Sequence, residues 1–208
     1  MHKREFLAAL GAGTLANGAA ANGVLANGTL AARDRQGLNG PALLTVTGAI
    51  GRGNRGPLDK ALDQMMAKQQ LAFDRAHVFD FEALRALQHI TIRPTLEYDA
   101  RPHTLRGPLL SHVIEAAGAR LDNPLRLLLR AIDGYTVTLT LAQARRYRFI
   151  IATHLDGQPM PLGGLGPLWA VFNADHYADM MARPLPERYA HCPWGVYHLE
   201  VQATQAVG

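Results

Sequence analysis

The sequence predicts a mostly β domain with several short helices, and three observations carry the prediction. Apolar and β-branched runs stop at turn dipeptides: Leu127 to Ile132 at Asp133-Gly134, and Tyr147 to Thr153 ahead of Asp156-Gly157. Helical spacing comes only in short pieces, the clearest over Leu109, Leu110, Val113, Ile114 and Ala117. A hydrophobic content of 48% in 208 residues supplies a core for one domain of ordinary size.

Residues 1–32 read as a leader. His2-Lys3-Arg4 gives a positive start, Asn-Gly recurs at Asn17, Asn22 and Asn27, and no charge occurs from Ala8 to Ala32. Lys3-Arg4-Glu5-Phe6-Leu7 resembles a twin-arginine export signal with lysine in the first arginine place. A short linker over 33–40 and a single domain over 41–203 follow, with the periplasm as the expected location. Leu43, Leu44, Val46 and Ile50 suggest a first strand, closed by the loop Gly51 to Pro57. That loop lacks the lysine and spacing of a phosphate loop and reads as a surface turn. Leu58 to Leu71 has one apolar helical face, and Asp80 is placed to cap a short helix through Leu87. Ile90 and Ile92 form a strand ended by Pro94.

Thr95 to Arg106 reads as a polar and aromatic loop. Gly107-Pro108 opens a helix for which Gly118 is the C-terminal cap. Strands over Leu127 to Ile132 and Tyr135 to Leu139, a small helix from Leu141, and a strand over Tyr147 to Thr153 come next. Gly163-Gly164 and Gly166-Pro167 make a loop at the sheet's rim before Leu168 to Phe172. Short helical turns at Tyr177 to Met181 and Pro186 to Tyr189 precede a last strand over Val196 to Val201, expected to close the sheet.

Composition narrows the chemistry. The net charge of +4 comes from scattered arginines, which argues against a nucleic-acid partner. One cysteine, Cys192, excludes an internal disulfide and a cysteine-pair metal site. The nine histidines show no i,i+4 pair; a folded cluster of His176, His191 and His198 is the one metal arrangement left open. Ser111 is the only serine and lies within the clearest helix, so a serine hydrolase is not indicated. After the leader no apolar run is long enough to cross a membrane. What remains is polar and aromatic groups at strand ends: Arg93, Glu97, Tyr98, Arg106, Asp133, Tyr135, Asp156 and Trp169, with backbone donors around Gly163 to Leu168. A carboxylate can pair with adjacent ring N–H donors, an aromatic ring can stack, and an arginine can take an acceptor oxygen. Such a set suits a flat heterocycle.

The segments LLTVTGAI, FDFEALRALQHITIRPT, LRGPLLSHVIEAAGA, LLLRAIDGY, YRFIIATHLDGQPMP and GPLWAVF stand in the order seen in the molybdopterin-binding domain of the sulfite oxidase family. The chain resembles that family's short, exported, single-domain members over about Pro41 to Val201. The resemblance implies a sulfite-oxidase-type α+β domain with a curled mixed sheet and short helices. Catalytic members hold molybdenum through a cysteine after the strand that matches His89 to Arg93. Here that stretch is Arg93-Pro94-Thr95-Leu96-Glu97-Tyr98, with Pro94 or Thr95 near the ligand position and no cysteine.

Some short members bind a pterin in the periplasm and report it to a membrane signalling protein that controls cyclic-di-nucleotide metabolism. On that resemblance the expected function is pterin binding, of a reduced pterin foremost, with the periplasmic domain of such a membrane protein as partner and no reaction catalysed. Glu97 or Asp133 would pair with the amidine edge, and Tyr98, Tyr135 or Trp169 would flank the ring. Arg93 or Arg106 would contact oxygens, with Thr95 and Gly166 completing the pocket. Two alternatives belong to other classes. A molybdopterin-dependent oxidoreductase would purify with molybdenum cofactor and be redox-active. A non-catalytic protein-interaction domain would expose Trp169, Trp194 and Tyr197.

Overall fold

The computed structural model describes residues 37–204; the leader expected over 1–32 and the first part of the linker lie outside the described residues. The linker's described end is held by the Asp80 carboxylate. Its Oδ2 accepts the backbone N–H groups of Asn39 and Gly40 at 2.6 and 2.9 Å.

The first strand, β1 (Leu44–Gly48), is buried up to its last residue. Gly48 has φ of 85° and passes against the Val201 backbone, where a Cβ would collide. Helix α1 (Gln64–Lys68) is far shorter than the apolar periodicity over 58–71 suggests. The Asp59 carboxylate accepts the N–H groups of Ala61 and Leu62, and Leu58 N–H bonds to the Phe73 carbonyl, so the start of the segment is a turn. Strand β2 (His77–Phe79) has three residues, too few for a sequence pattern. Asp80 caps α2 (Phe81–Ala86) by accepting Ala83 N–H on Oδ1 at 2.7 Å. That bond, with the Asn39 and Gly40 donors, holds its carboxyl below the usual carboxylate range.

Strand β3 (His89–Ile92) pairs antiparallel with β4 (Leu105–Pro108), the latter lying where a loop and helix start are predicted. Pro108 closes this strand, and α3 (Leu110–Ala116) begins two residues later. Gly118, at φ 86°, follows the helix and donates its N–H to the Glu115 carbonyl. Strands β5 (Leu125–Ala131) and β6 (Thr136–Thr140) form the hairpin around Asp133-Gly134. A capping box between Thr140 and Gln143 starts α4 (Leu141–Arg146). Strand β7 (Ile150–Ala152) is followed by the hairpin of β8 (His154–Leu155) and β9 (Gln158–Pro159), with Asp156 and Gly157 both at positive φ in its turn. Strand β10 (Trp169–Val171), a 3-10 turn at Ala174–His176, short helices α5 (Ala178–Met181) and α6 (Leu185–Arg188), and β11 (Val196–Ala203) complete the described chain. None of these helices is long and apolar enough to cross a membrane.

Among the described residues the strands form three open sheets: β2-β1-β11-β5-β6, β10-β7 and β3-β4-β8-β9. The α+β class holds, but the single curled sheet expected from the sequence does not form, and no sheet closes on itself. Between β4 and β7 pairing thins to one bridge, Leu109 with Ile150, because Pro108 has no N–H to extend a ladder. Nor does β11 close an edge. It lies at the centre of the five-stranded sheet, parallel to β1 and antiparallel to β5.

One face of that sheet, with Leu44, Val46, Leu127, Leu129, Leu199 and Val201, joins α3 in the main core. A bulge between Val196 and His198 puts Tyr197 with Met66 and Leu71 in a small second cluster. His198 is buried beside it, 3.0 Å from Thr47 Oγ1, and burial draws its imidazole down to about 4.

Leu199 is fully buried between Val46 and Leu129 at the middle of this sheet. Leu199→Ala should lower unfolding free energy by about 2–5 kcal/mol, read as an earlier urea midpoint.

Candidate functional site

A groove of about 340 Å³ opens where three segments meet. One wall is the turn after β3, carrying Glu97 and Tyr98. The second is the β5–β6 turn, with Asp133 and Tyr135. The third is the strap from Pro186 to Trp194, which contributes Tyr189, Cys192 and Trp194.

Each wall has its own anchor. Leu96 is buried in the core, its N–H bonded to the Arg101 carbonyl, so Glu97 and Tyr98 are carried on a closed turn. Thr95 N–H donates to Asp175 Oδ2 at 2.7 Å, and the Thr95 carbonyl accepts Tyr189 O–H at 2.6 Å. In the second wall Asp133 Oδ1 accepts Tyr135 N–H at 2.8 Å, and Gly134, at φ 91°, makes the reversal. Tyr135 O–H reaches the Ala190 carbonyl at 2.7 Å and ties that wall to the strap. The strap is held from below by Trp169, whose indole N–H donates to the Cys192 carbonyl at 2.9 Å, and by Ala170 N–H to the Pro193 carbonyl.

The interior is aromatic and acidic. Tyr98 is 55% exposed and its ring lies 6.5 Å from Trp169, which is 6.3 Å from Tyr189. Burial of part of the Tyr98 hydroxyl, and then the Glu97 carboxylate beside it, push its pKa up to about 12. Tyr189 is raised as well, by burial and by Asp175. Burial pushes the Cys192 thiol up; a hydrogen bond from the Phe172 backbone opposes this and the Glu97 charge adds to it. Glu97 and Asp133 are the charged residues of the lining, which contains no arginine, lysine or histidine.

The structure therefore brings together four of the residues singled out from the sequence: Glu97, Tyr98, Asp133 and Tyr135. It places the others elsewhere. Trp169 is 1% exposed and supports the strap from beneath, out of reach of a stacked ligand. Thr95 uses its backbone to hold Tyr189 and Asp175. Gly166 is buried against Met160 in the loop before β10. Arg106 faces outward on β4, in register with Thr91 and His154, and Arg93 is exposed near Asp156.

Sequence reasoning missed Tyr189, Cys192 and Trp194 as groove residues. The density of aromatics and prolines over 186–197 was the available signal. Of the three aromatics expected at an interaction surface, Trp169 and Tyr197 are buried and Trp194 is partly exposed. His176, His191 and His198 do not converge, and the described residues hold no group of three or more histidine, cysteine or carboxylate side chains able to bind a metal ion. Cys192 is a free, buried cysteine.

A second polar device steadies the Glu97–Tyr98 wall. His103 bonds through Nε2 to Asp99 Oδ2 at 2.9 Å and through Nδ1 to Asp156 Oδ2 at 2.6 Å, linking the turn to the β8–β9 hairpin. Asp156 first, then Asp99, raise its imidazole above the ordinary 6.5, and His103 in turn lowers both carboxyls.

No family model matches the chain, and no curated protein matches it. The family expected from the sequence thus rests on its motifs. Among solved structures the chain is similar to the sulfane dehydrogenase SoxCD from Paracoccus pantotrophus, at 13% identity and a TM-score of 0.47. The match covers 78% of this chain and 39% of that one, a distant likeness with no bearing on the groove.

The His103 clamp should leave a pH signature. Its histidine contribution is complete below 6.5 and lost as pH rises through the raised His103 pKa. Its aspartate contribution is complete above 3.8 and lost as pH falls through the lowered carboxyl pKa values. The difference in melting temperature between wild type and His103→Gln should be greatest between those limits and shrink on either side. His198 is common to both proteins and cancels. A difference flat across pH would mean that the bridge is not ionic.

Proposed function

We propose that this chain is a periplasmic pterin-binding protein that makes no bond in its ligand. The observation that carries the reading is the meeting of two carboxylates with Tyr98, Tyr135, Tyr189 and Trp194 in one groove. A pterin is flat and presents an edge of adjacent N–H donors. A carboxylate accepts from such an edge in bidentate fashion, and aromatic side chains cover the ring faces. Glu97 or Asp133 is the acceptor: each has a free oxygen beside the one that takes the Tyr98 hydroxyl or the Tyr135 N–H. Trp194, at the mouth, takes the stacking role that the sequence suggested for Trp169.

Occupancy is reported, on this reading, to the periplasmic domain of a membrane signalling protein. The rims of the groove would change when filled, and a partner that prefers the filled form would in turn strengthen pterin binding.

The first test uses protein purified from the exported fraction without reconstitution, assayed for molybdenum and for pterin released by acid. Pterin without metal supports the binding protein, and stoichiometric molybdenum establishes the oxidoreductase alternative instead. Titration with reduced and oxidised pterins, followed by fluorescence, then gives the affinity. Trp194→Ala should weaken binding by about 10-fold or more, the range of a lost base-aromatic stack. Failure of every pterin to bind leaves the interaction domain.

A further inference from the structure

Resting on the pterin reading, we infer that the groove selects unphosphorylated ligands with a donor edge, and that Glu97 and Asp133 determine this specificity. A molybdopterin carries a phosphate, and in catalytic members of the family this chain resembles a protein thiolate joins the cofactor's own dithiolene on the metal; this groove suits neither. Its lining has two carboxylates, on two different segments, and no cation. Its thiol, Cys192, is fully buried, and burial foremost, with a smaller part from the Glu97 charge, opposes its ionisation.

None of the cations on neighbouring elements lines the groove. Arg188, on the α6 end of the strap, donates to Asp175 Oδ1 and to the carbonyls of Arg183 and Met181. Arg106 lies on the outer face of the four-stranded sheet. There, after burial, its charge is the next force holding the His154 imidazole below its ordinary value. Arg93 is next to Asp156. A phosphate entering the groove would therefore meet two like charges and no counter-charge in the lining. A neutral or protonated amidine edge meets two acceptors there. The aromatic walls add to the preference, because a π-face attracts positive charge and repels negative.

The test compares neopterin, whose side chain is an uncharged polyol, with neopterin triphosphate, on the full chain at low ionic strength. Neopterin should bind at least about 10-fold more tightly, and added salt should narrow the gap by screening the carboxylates. Glu97→Gln with Asp133→Asn should also narrow the gap, through tighter triphosphate binding. Asparagine retains an oxygen for the Tyr135 N–H, and a thermal melt of the double variant checks that it folds. Equal affinity for the two ligands, or a preference for the triphosphate, overturns this specificity while leaving the pterin site standing. Binding of neither overturns both.

Discussion

The hydrogen bond from the Trp169 indole to the Cys192 carbonyl is the constraint on which the groove depends. Trp169 is almost wholly buried, so its N–H has no water to turn to, and leaving it without an acceptor would cost about 1–3 kcal/mol. The Cys192 carbonyl fixes the height of the strap over β10. From there the strap reaches both other walls: Tyr189 O–H bonds to the Thr95 carbonyl, and its Ala190 carbonyl accepts Tyr135 O–H. Two of the aromatic groups that form the cavity thus also set its width, through their hydroxyls.

The outer layer of the five-stranded sheet is coupled to the same region. Because β11 bulges at Val196–His198, Tyr197 reaches Gln69 Oε1, and Gln69 Nε2 donates to the Ile132 carbonyl just before Asp133. The short helix α1 and the acidic turn are therefore joined by one glutamine. The small Met66–Leu71–Tyr197 cluster has so little apolar area that such polar ties decide its position.

Local signals were legible in the sequence wherever chemistry is local. The Asp133-Gly134 and Asp156-Gly157 reversals, the Asp80 cap and the Gly118 stop all follow from one residue's backbone preference or side-chain acceptor. So does half of the groove, since Glu97, Tyr98, Asp133 and Tyr135 flank turns that the sequence marks. The other half was hidden because backbone carbonyls position it, and carbonyls are the same for every residue. Nothing about Cys192 in the sequence says that Trp169 bonds to its oxygen. Arg93 and Arg106 stand close to Glu97 in sequence, but the pleat turns Arg106 to the outer face, away from the groove. Strand β2 and the shortness of α1 escaped for a different reason. Three residues carry no period, and Asp59 diverts backbone donors that an apolar stripe cannot reveal.

The central place of β11 bears on the order in which the molecule can be built. Thr45, on β1, pairs with His198, so the first described strand of the domain waits for its last described one. Until Val196–Ala203 arrives, β1 and β5 face each other across a gap one strand wide, each with an open edge of unpaired backbone groups. The largest sheet therefore cannot be completed before its central strand is in place. Its contacts are long-range, and its folding is slow by the rule that relates speed to sequence separation.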